Sequence, residues 1–385
     1  MTACARIAAL TTLSSLIAAL GFAACLAATA APDGAPAVPR YKVDPFWPKE
    51  LPHEWVMGQV GGLTVDAHDH VWVLQRPRST TPDELWANMI PPQGACCVPA
   101  PAVLELDAEG AVLSAWGGPG YVADWPAKEH GIWVDGKGNV WIGGSGPIDR
   151  QILKFSPEGR LLMTIGHPSD APKDNQDTAL LGAPAGIEVD DSAREVYIAD
   201  GYLNNRIVVY DSETGKFKRG WGAYGAPLSE LSNVQHRSPE APVQAAPDSK
   251  EFGNPVHCAR LSHDGLVYVC DRSNDRIQVF TRAGVFKQQF VVQPQTGGVG
   301  SVWTISFSND PAQSHLLVAD GTNDVVWILR RADGVIVGSF GHSGRNAGQF
   351  HWVHQAAADS KGNYYTGEVD TGKRVQKFVL EPSVR

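Results

Sequence analysis

Three of the twelve histidines, His130, His257 and His354, share one local setting: each precedes an apolar run and stands eight residues ahead of a turn glycine, Gly138, Gly265 or Gly362. Neutral imidazole is a borderline-soft ligand, and three of them around an open fourth position make a catalytic zinc arrangement. The remaining histidines fall in turns or linkers and read as surface residues, with His351 close enough to the third of the set to matter. Two arginines and a tyrosine hold related positions. Arg76 and Arg272 each follow a valine, Val71 or Val267, by five residues at the end of a second strand, and Tyr202 lies in the corresponding loop after Asp200-Gly201. A guanidinium fork there can clamp a carboxylate, and a tyrosine beside a bound cation can act as a general base. The plainer alternatives are a salt bridge between neighbouring elements for the arginines and loop packing for the tyrosine.

For such side chains to meet, the elements that carry them must be spatially equivalent, and internal repetition supplies that equivalence. One unit reads Gly131-Ile132-Trp133-Val134-Asp135, then Gly138-Asn139-Val140-Trp141-Ile142, then Gln151-Ile152-Leu153-Lys154-Phe155. It returns at Gly186 to Tyr210 and Cys258 to Phe280, with weaker copies near Gly62, Thr304 and Gln355. Apolar and polar residues alternate with period two, as strands buried on one face require. A fourth strand such as Gly215 to Gly222 closes the unit, so six copies of four short strands predict an all-β, six-bladed β-propeller. Alternate blades of a six-fold disc are about 120° apart, so histidines in repeats two, four and six converge on the axis. The odd repeats carry Gly61, Ala185 and Trp303 at that position. The units resemble NHL repeats through Asn205-Arg206, Asp275-Arg276 and Lys373-Arg374. Insertions at Pro82–Ala100, His167–Leu181 and Ala223–Pro255 are expected on a rim of the disc, where loops are available for binding.

The net charge of −9 over 385 residues argues against nucleic acid or anionic membrane surfaces as partners. Residues 1–31 read as a signal peptide: Arg6, an apolar run from Ile7 to about Ala24, and small residues at Ala27 to Ala31. Phe22-Ala23-Ala24-Cys25 also resembles a lipoprotein box, so the chain is expected to be exported, with lipid anchoring through Cys25 as the variant. The run is too short and Ala-rich for a retained span. Residues 32–56 are then a linker and 57–385 the propeller. In an oxidising compartment Cys258 and Cys270, flanking the turn Ser262 to Gly265, are candidates for a disulfide. The adjacent Cys96 and Cys97 are a vicinal disulfide, metal ligands or plain loop thiols. A monomer is expected.

Taken together, His130, His257, His354, Arg76, Tyr202 and Arg272 make the chain resemble peptidyl-α-hydroxyglycine α-amidating lyase, from about Met57 to Phe378. The likeness is strongest at Glu129-His130-Gly131, Ala199 to Ile207 and Asp271 to Gln278. It implies cleavage of an N-acyl α-hydroxyglycine, peptidyl or small, to a primary amide and glyoxylate. It also implies zinc on the three histidines, proton removal by Tyr202, and a substrate carboxylate held by Arg76 with Arg272 as a second positive group. The sequence departs from the family at Trp352, where a methionine is usual, and at Gln355, where an acidic residue supports a structural calcium. The carbonyl donors of that calcium map to Leu63 and Ile132, which leaves calcium open. Leu203, Tyr268 and Val279 stand where the family has cysteines. Two other readings remain: a non-catalytic NHL propeller that binds a protein or glycan through its rim loops, and a metal-dependent hydrolase such as a lactonase. The latter usually sets Glu, Asp and Asn around calcium, whereas this axis offers histidines.

Overall fold

The computed structural model describes residues 37–233 and 246–382, so the leader expected over residues 1–31, and Cys25 within it, lie outside the described residues. The alternating repeats form six four-stranded antiparallel sheets. Their inner strands are Gln59–Val65, Glu129–Val134, Gly186–Asp190, Val256–Leu261, Thr304–Phe307 and Val353–Ala358. Each inner strand packs on the next, and the last packs on the first, so the sheets close into a six-bladed β-propeller. Blade 2 is typical, with Val140–Gly144, Gln151–Phe155 and Leu161–Gly166 outside its inner strand. Between blades 1 and 2 the facing side chains, among them Trp72, Leu74, Ile142 and Phe155, are buried. A side chain of that size contributes about 1.5–3 kcal/mol when removed from water. Among the described residues no helix is long and apolar enough to cross a membrane.

Ring closure uses a strand that the repeat pattern does not contain. Tyr41–Asp44, within the stretch read from sequence as a linker, is the outer strand of blade 6 and runs antiparallel to Val375–Leu380, with Tyr41 opposite Leu380 and Asp44 opposite Lys377. Tyr41 also packs on Phe340, ring centroids 4.8 Å apart. A four-residue strand whose partner lies at the far end of the chain leaves no local pattern to find. Its effect is that blade 6 draws on both ends of the described chain.

The two faces of the disc differ. On one, strands are joined by turns of four to seven residues, organised by a repeated aspartate. Asp135 accepts the N–H groups of Lys137 and Asn139 and the indole of Trp141, Asp66 does the same in its own turn, and Asp359 accepts two N–H groups and the Tyr365 hydroxyl. The other face, where the inner strands begin, carries the long insertions. Signature arginines hold these loops down. Arg206 is fully buried, pairs with Asp200 at 2.8 Å, and donates to the carbonyls of Asn175, Asp177 and Leu180 in the insertion before blade 3. Arg276 repeats the device with Asp271 and the carbonyls of Pro247, Ser249 and Glu251.

Because Tyr41–Asp44 supplies the outer edge of blade 6, removing it should leave Val375–Leu380 as a bare edge. A chain starting at residue 47 is expected to unfold at a midpoint several degrees below one starting at residue 37, and to aggregate more readily. Thermal unfolding of the two chains side by side checks this.

Candidate metal centre

All three histidines sit near the start of an inner strand where the pairing slips by one residue. The register shifts fall between His130 and Ile132, Val256 and Cys258, and Val353 and Gln355. A bulge leaves one residue unpaired and turns its neighbourhood, which re-aims a side chain. In blade 2 the extra residue is Gly131, at φ +75°, where a Cβ would come within 2.6 Å of the Ala185 carbonyl oxygen. Only glycine fits there.

The rings converge on the axis. Their centroids are 5.0 Å apart for His130 and His257, 4.6 Å for His130 and His354, and 4.9 Å for His257 and His354, with planes nearly perpendicular. One nitrogen from each lies within 4.8 Å of the others, and all three residues are buried. His130 Nδ1 donates to the Ala185 carbonyl at 2.7 Å, and His257 Nδ1 to that of Trp303. A carbonyl only accepts, so Nδ1 carries the proton in both rings and the Nε2 lone pair faces inward. Ala185 and Trp303 are the residues that the odd repeats place at the histidine position, so each imidazole is tethered by the blade that follows it. His354 Nδ1 is buried and has no partner among the described residues.

Burial holds all three imidazoles well below their usual pKa. Neighbouring groups disfavour a positive charge further: His257 and Arg76 for His130, Arg272 for His257, and the other two histidines for His354. Three neutral nitrogens without a carboxylate suit a borderline metal ion, and the orphaned Nδ1 marks His354 as a ring with a nitrogen that no described residue engages. Among the described residues the other grouping of candidate ligands, Asp66, His70 and Glu105, is half-buried at the opposite face, where Asp66 is already engaged by its turn.

The remaining predicted residues gather at the same mouth. The Tyr202 hydroxyl is 3.0 Å from His130 Nε2 and 3.3 Å from His257 Nε2. Arg76, buried at the end of the second strand of blade 1, donates through Nε to the Glu129 carbonyl at 2.8 Å and through one terminal nitrogen to the Gln59 side chain at 2.7 Å. Arg272 lies 4.4 Å over the Trp303 ring and 5.9 Å from that of Tyr202, and donates to the Val299 carbonyl. Among the described residues Arg76 forms no salt bridge; its bonds go to the Glu129 carbonyl and the Gln59 side chain. Trp352, which is 37% exposed, packs edge-on against Trp303 at 5.4 Å and so forms part of the rim.

Sequence reasoning missed Lys128. Its side chain is exposed at the mouth, and its ammonium is held below the usual pKa by desolvation and then by Arg76 and Arg272. Its place two residues before His130 was the available signal. His351 pairs with Asp370 instead of joining the three rings. His315, expected at the surface, is buried at the start of the second strand of blade 5, because the run His315–Asp320 is a fully buried strand. Cys258 and Cys270 stand opposite each other, Cα atoms 4.8 Å apart, and form a disulfide; Cys96 and Cys97 form another. Leu63 and Ile132 are buried on the inner strands of blades 1 and 2.

A histidine whose folded pKa is depressed stabilises the fold above its unfolded pKa and loses that contribution as pH falls. For the metal-free protein, the thermal midpoint is therefore expected to fall as pH drops below about 6.5. The slope should be shallower in a variant with His130, His257 and His354 all changed to Gln. Equal slopes from thermal scans across that range would contradict the assignment.

No family model matches the chain. Among curated proteins it is similar to mouse peptidyl-glycine alpha-amidating monooxygenase, 24% identical over 344 residues, covering 85% of this chain and 31% of that protein. It is also similar to peptidyl-alpha-hydroxyglycine alpha-amidating lyase 2 of Drosophila melanogaster, 28% identical over 297 residues, covering 72% of this chain and 61% of that one. Mouse NHL repeat-containing protein 3 is 28% identical over 256 residues, covering 63% of this chain and 57% of that protein. The chain spans about a third of the length of the monooxygenases it matches. Among solved structures, a streptogramin B lyase superposes with a TM-score of 0.51 at 15% identity, covering 89% of this chain and 98% of that one, a likeness of fold. The resemblance read from the sequence is thus present in its relatives: amidating enzymes, a hydroxyglycine amidating lyase and NHL-repeat proteins.

Proposed function

We propose that this protein is an exported, zinc-dependent carbon–nitrogen lyase that cleaves an N-acyl or peptidyl α-hydroxyglycine to a primary amide and glyoxylate. The observation that carries the reading is the convergence of three neutral imidazoles with Tyr202, Arg76 and Arg272 at one mouth of the channel. His130, His257 and His354 would hold the zinc, which when bound supplies a Lewis acid for the substrate's hydroxyl oxygen.

The other parts follow from the chain's own side chains. Arg76 is fixed by Glu129 and Gln59, so its guanidinium is preorganised to receive the substrate carboxylate. Arg272, clamped on Trp303, and the ammonium of Lys128 add positive charge around that position. The Tyr202 oxygen, beside two of the imidazoles, is placed to take the substrate's hydroxyl proton when it acts as the phenolate. As that proton leaves, the carbon–oxygen double bond of glyoxylate forms and the C–N bond breaks. The electron pair goes to nitrogen, which takes the proton now held by Tyr202 to become the primary amide.

One observation favours the alternative of a rim-binding propeller: on the loop that follows Arg76, Ile90 is 99% exposed and Trp86 43% exposed. That reading needs neither Tyr202 nor Arg76 to act on a small molecule.

Zinc-loaded protein is expected to release glyoxylate and benzamide in equal amounts from α-hydroxyhippurate, and no release would remove the lyase reading. Tyr202→Phe should lower kcat by about 10²- to 10⁴-fold with little change in KM. Arg76→Ala should act mainly through KM, raising it roughly tenfold or more.

A further inference from the structure

The resemblance places a structural calcium on the carbonyls of Leu63 and Ile132, beside an acidic residue where this chain has Gln355. The residues present do not fit that ion. Leu63 and Ile132 each lie two positions beyond the histidine position of their blade, and Ile187 is their counterpart in blade 3. One position further on, each blade contributes a residue to a single cavity of about 290 Å³ on the axis: Thr64, Trp133, Glu188, Arg260, Ser306 and Ala357. This layer holds one guanidinium and one carboxylate, so its formal charge is zero. Gln355, buried beside it, adds none. Calcium takes six to eight oxygen ligands and is favoured by carboxylates.

Arg260 already spans the space. One terminal nitrogen is 3.3 Å from the Ile187 carbonyl and 3.4 Å from Glu188 Oε2, and the other is 3.4 Å from Thr304 Oγ1. Its guanidinium lies 5.6 Å over the Trp133 ring. Glu188 in turn accepts the Leu261 N–H at 2.8 Å. A single side chain on blade 4 therefore touches blades 2, 3 and 5 and takes a carbonyl from the layer that would serve the ion. Burial also pushes the Glu188 carboxyl up to about 7 despite Arg260, which makes the layer's one acidic group a poor anion for a second cation.

We infer that the Arg260 guanidinium takes the place of the calcium on the axis of this propeller, tying blades 2 to 5 across the channel so that the disc is braced there without that ion. The inference does not depend on the lyase reading. It is tested on the full mature chain, saturated with zinc, by calorimetric titration with calcium and by thermal scans with and without millimolar calcium chloride. The wild type is expected to give no saturable heat and a midpoint unchanged within about 1 °C, while Arg260→Gln lowers the midpoint by roughly 2 °C or more. One calcium bound per wild-type chain with a rise of several degrees would overturn the inference, as would an Arg260→Gln protein that melts with the wild type. Should Arg260→Gln not fold, the wild-type titration decides alone.

Discussion

The tethering of His130 and His257 through Nδ1 to main-chain carbonyls of the following blade governs what the centre can be. Each bond fixes a tautomer, sets the plane of a ring and makes a side chain of one blade depend on the backbone of the next. Side-chain chemistry alone would not place three desolvated imidazoles within 4.8 Å of one another. The bulges at the starts of their strands and the packing of each inner strand on the next do so, and that packing runs on around the closed ring. The closing strand Tyr41–Asp44, distant from the centre in the fold, therefore supports its geometry.

A second constraint is the separation of tasks between the two faces. Short aspartate-organised turns on one side leave little to vary, while every long insertion lies at the end where the inner strands begin. Those insertions turn main-chain carbonyls inward that need donors, and the signature arginines provide them from fully buried positions. Removing one partner of such a buried ion pair typically costs about 3–5 kcal/mol, because the other charge is left unsolvated. Arg206 and Arg276 are thus structural, whereas Arg76, which binds a main-chain carbonyl and an amide oxygen instead of a carboxylate, keeps its charge available at the mouth.

Much of this was readable from the residues because a repeat converts sequence register into spatial position. His130, His257 and His354 lie eight residues ahead of equivalent glycines, and that regularity alone put them on one axis. Extending the same register by three residues would have found Glu188 and Arg260. Other features had no such handle. Tyr41–Asp44 pairs with residues at the opposite end of the chain, so no local periodicity announces it. His315 begins a strand whose six residues are all buried, and a residue scale that treats histidine as a surface type misplaces it. Which of three roles Cys96 and Cys97 play depends on loop conformation, which spacing does not encode.

The central claim is that the three imidazoles hold a metal ion. The most direct test is elemental analysis of the purified mature protein beside His257→Ala, both supplied with zinc and freed of loose metal. The account predicts about one zinc per chain in the wild type, by analogy with catalytic sites built on three histidines, and its loss from the variant. A wild-type protein that retains no metal, or a variant that retains as much as the wild type, would contradict it.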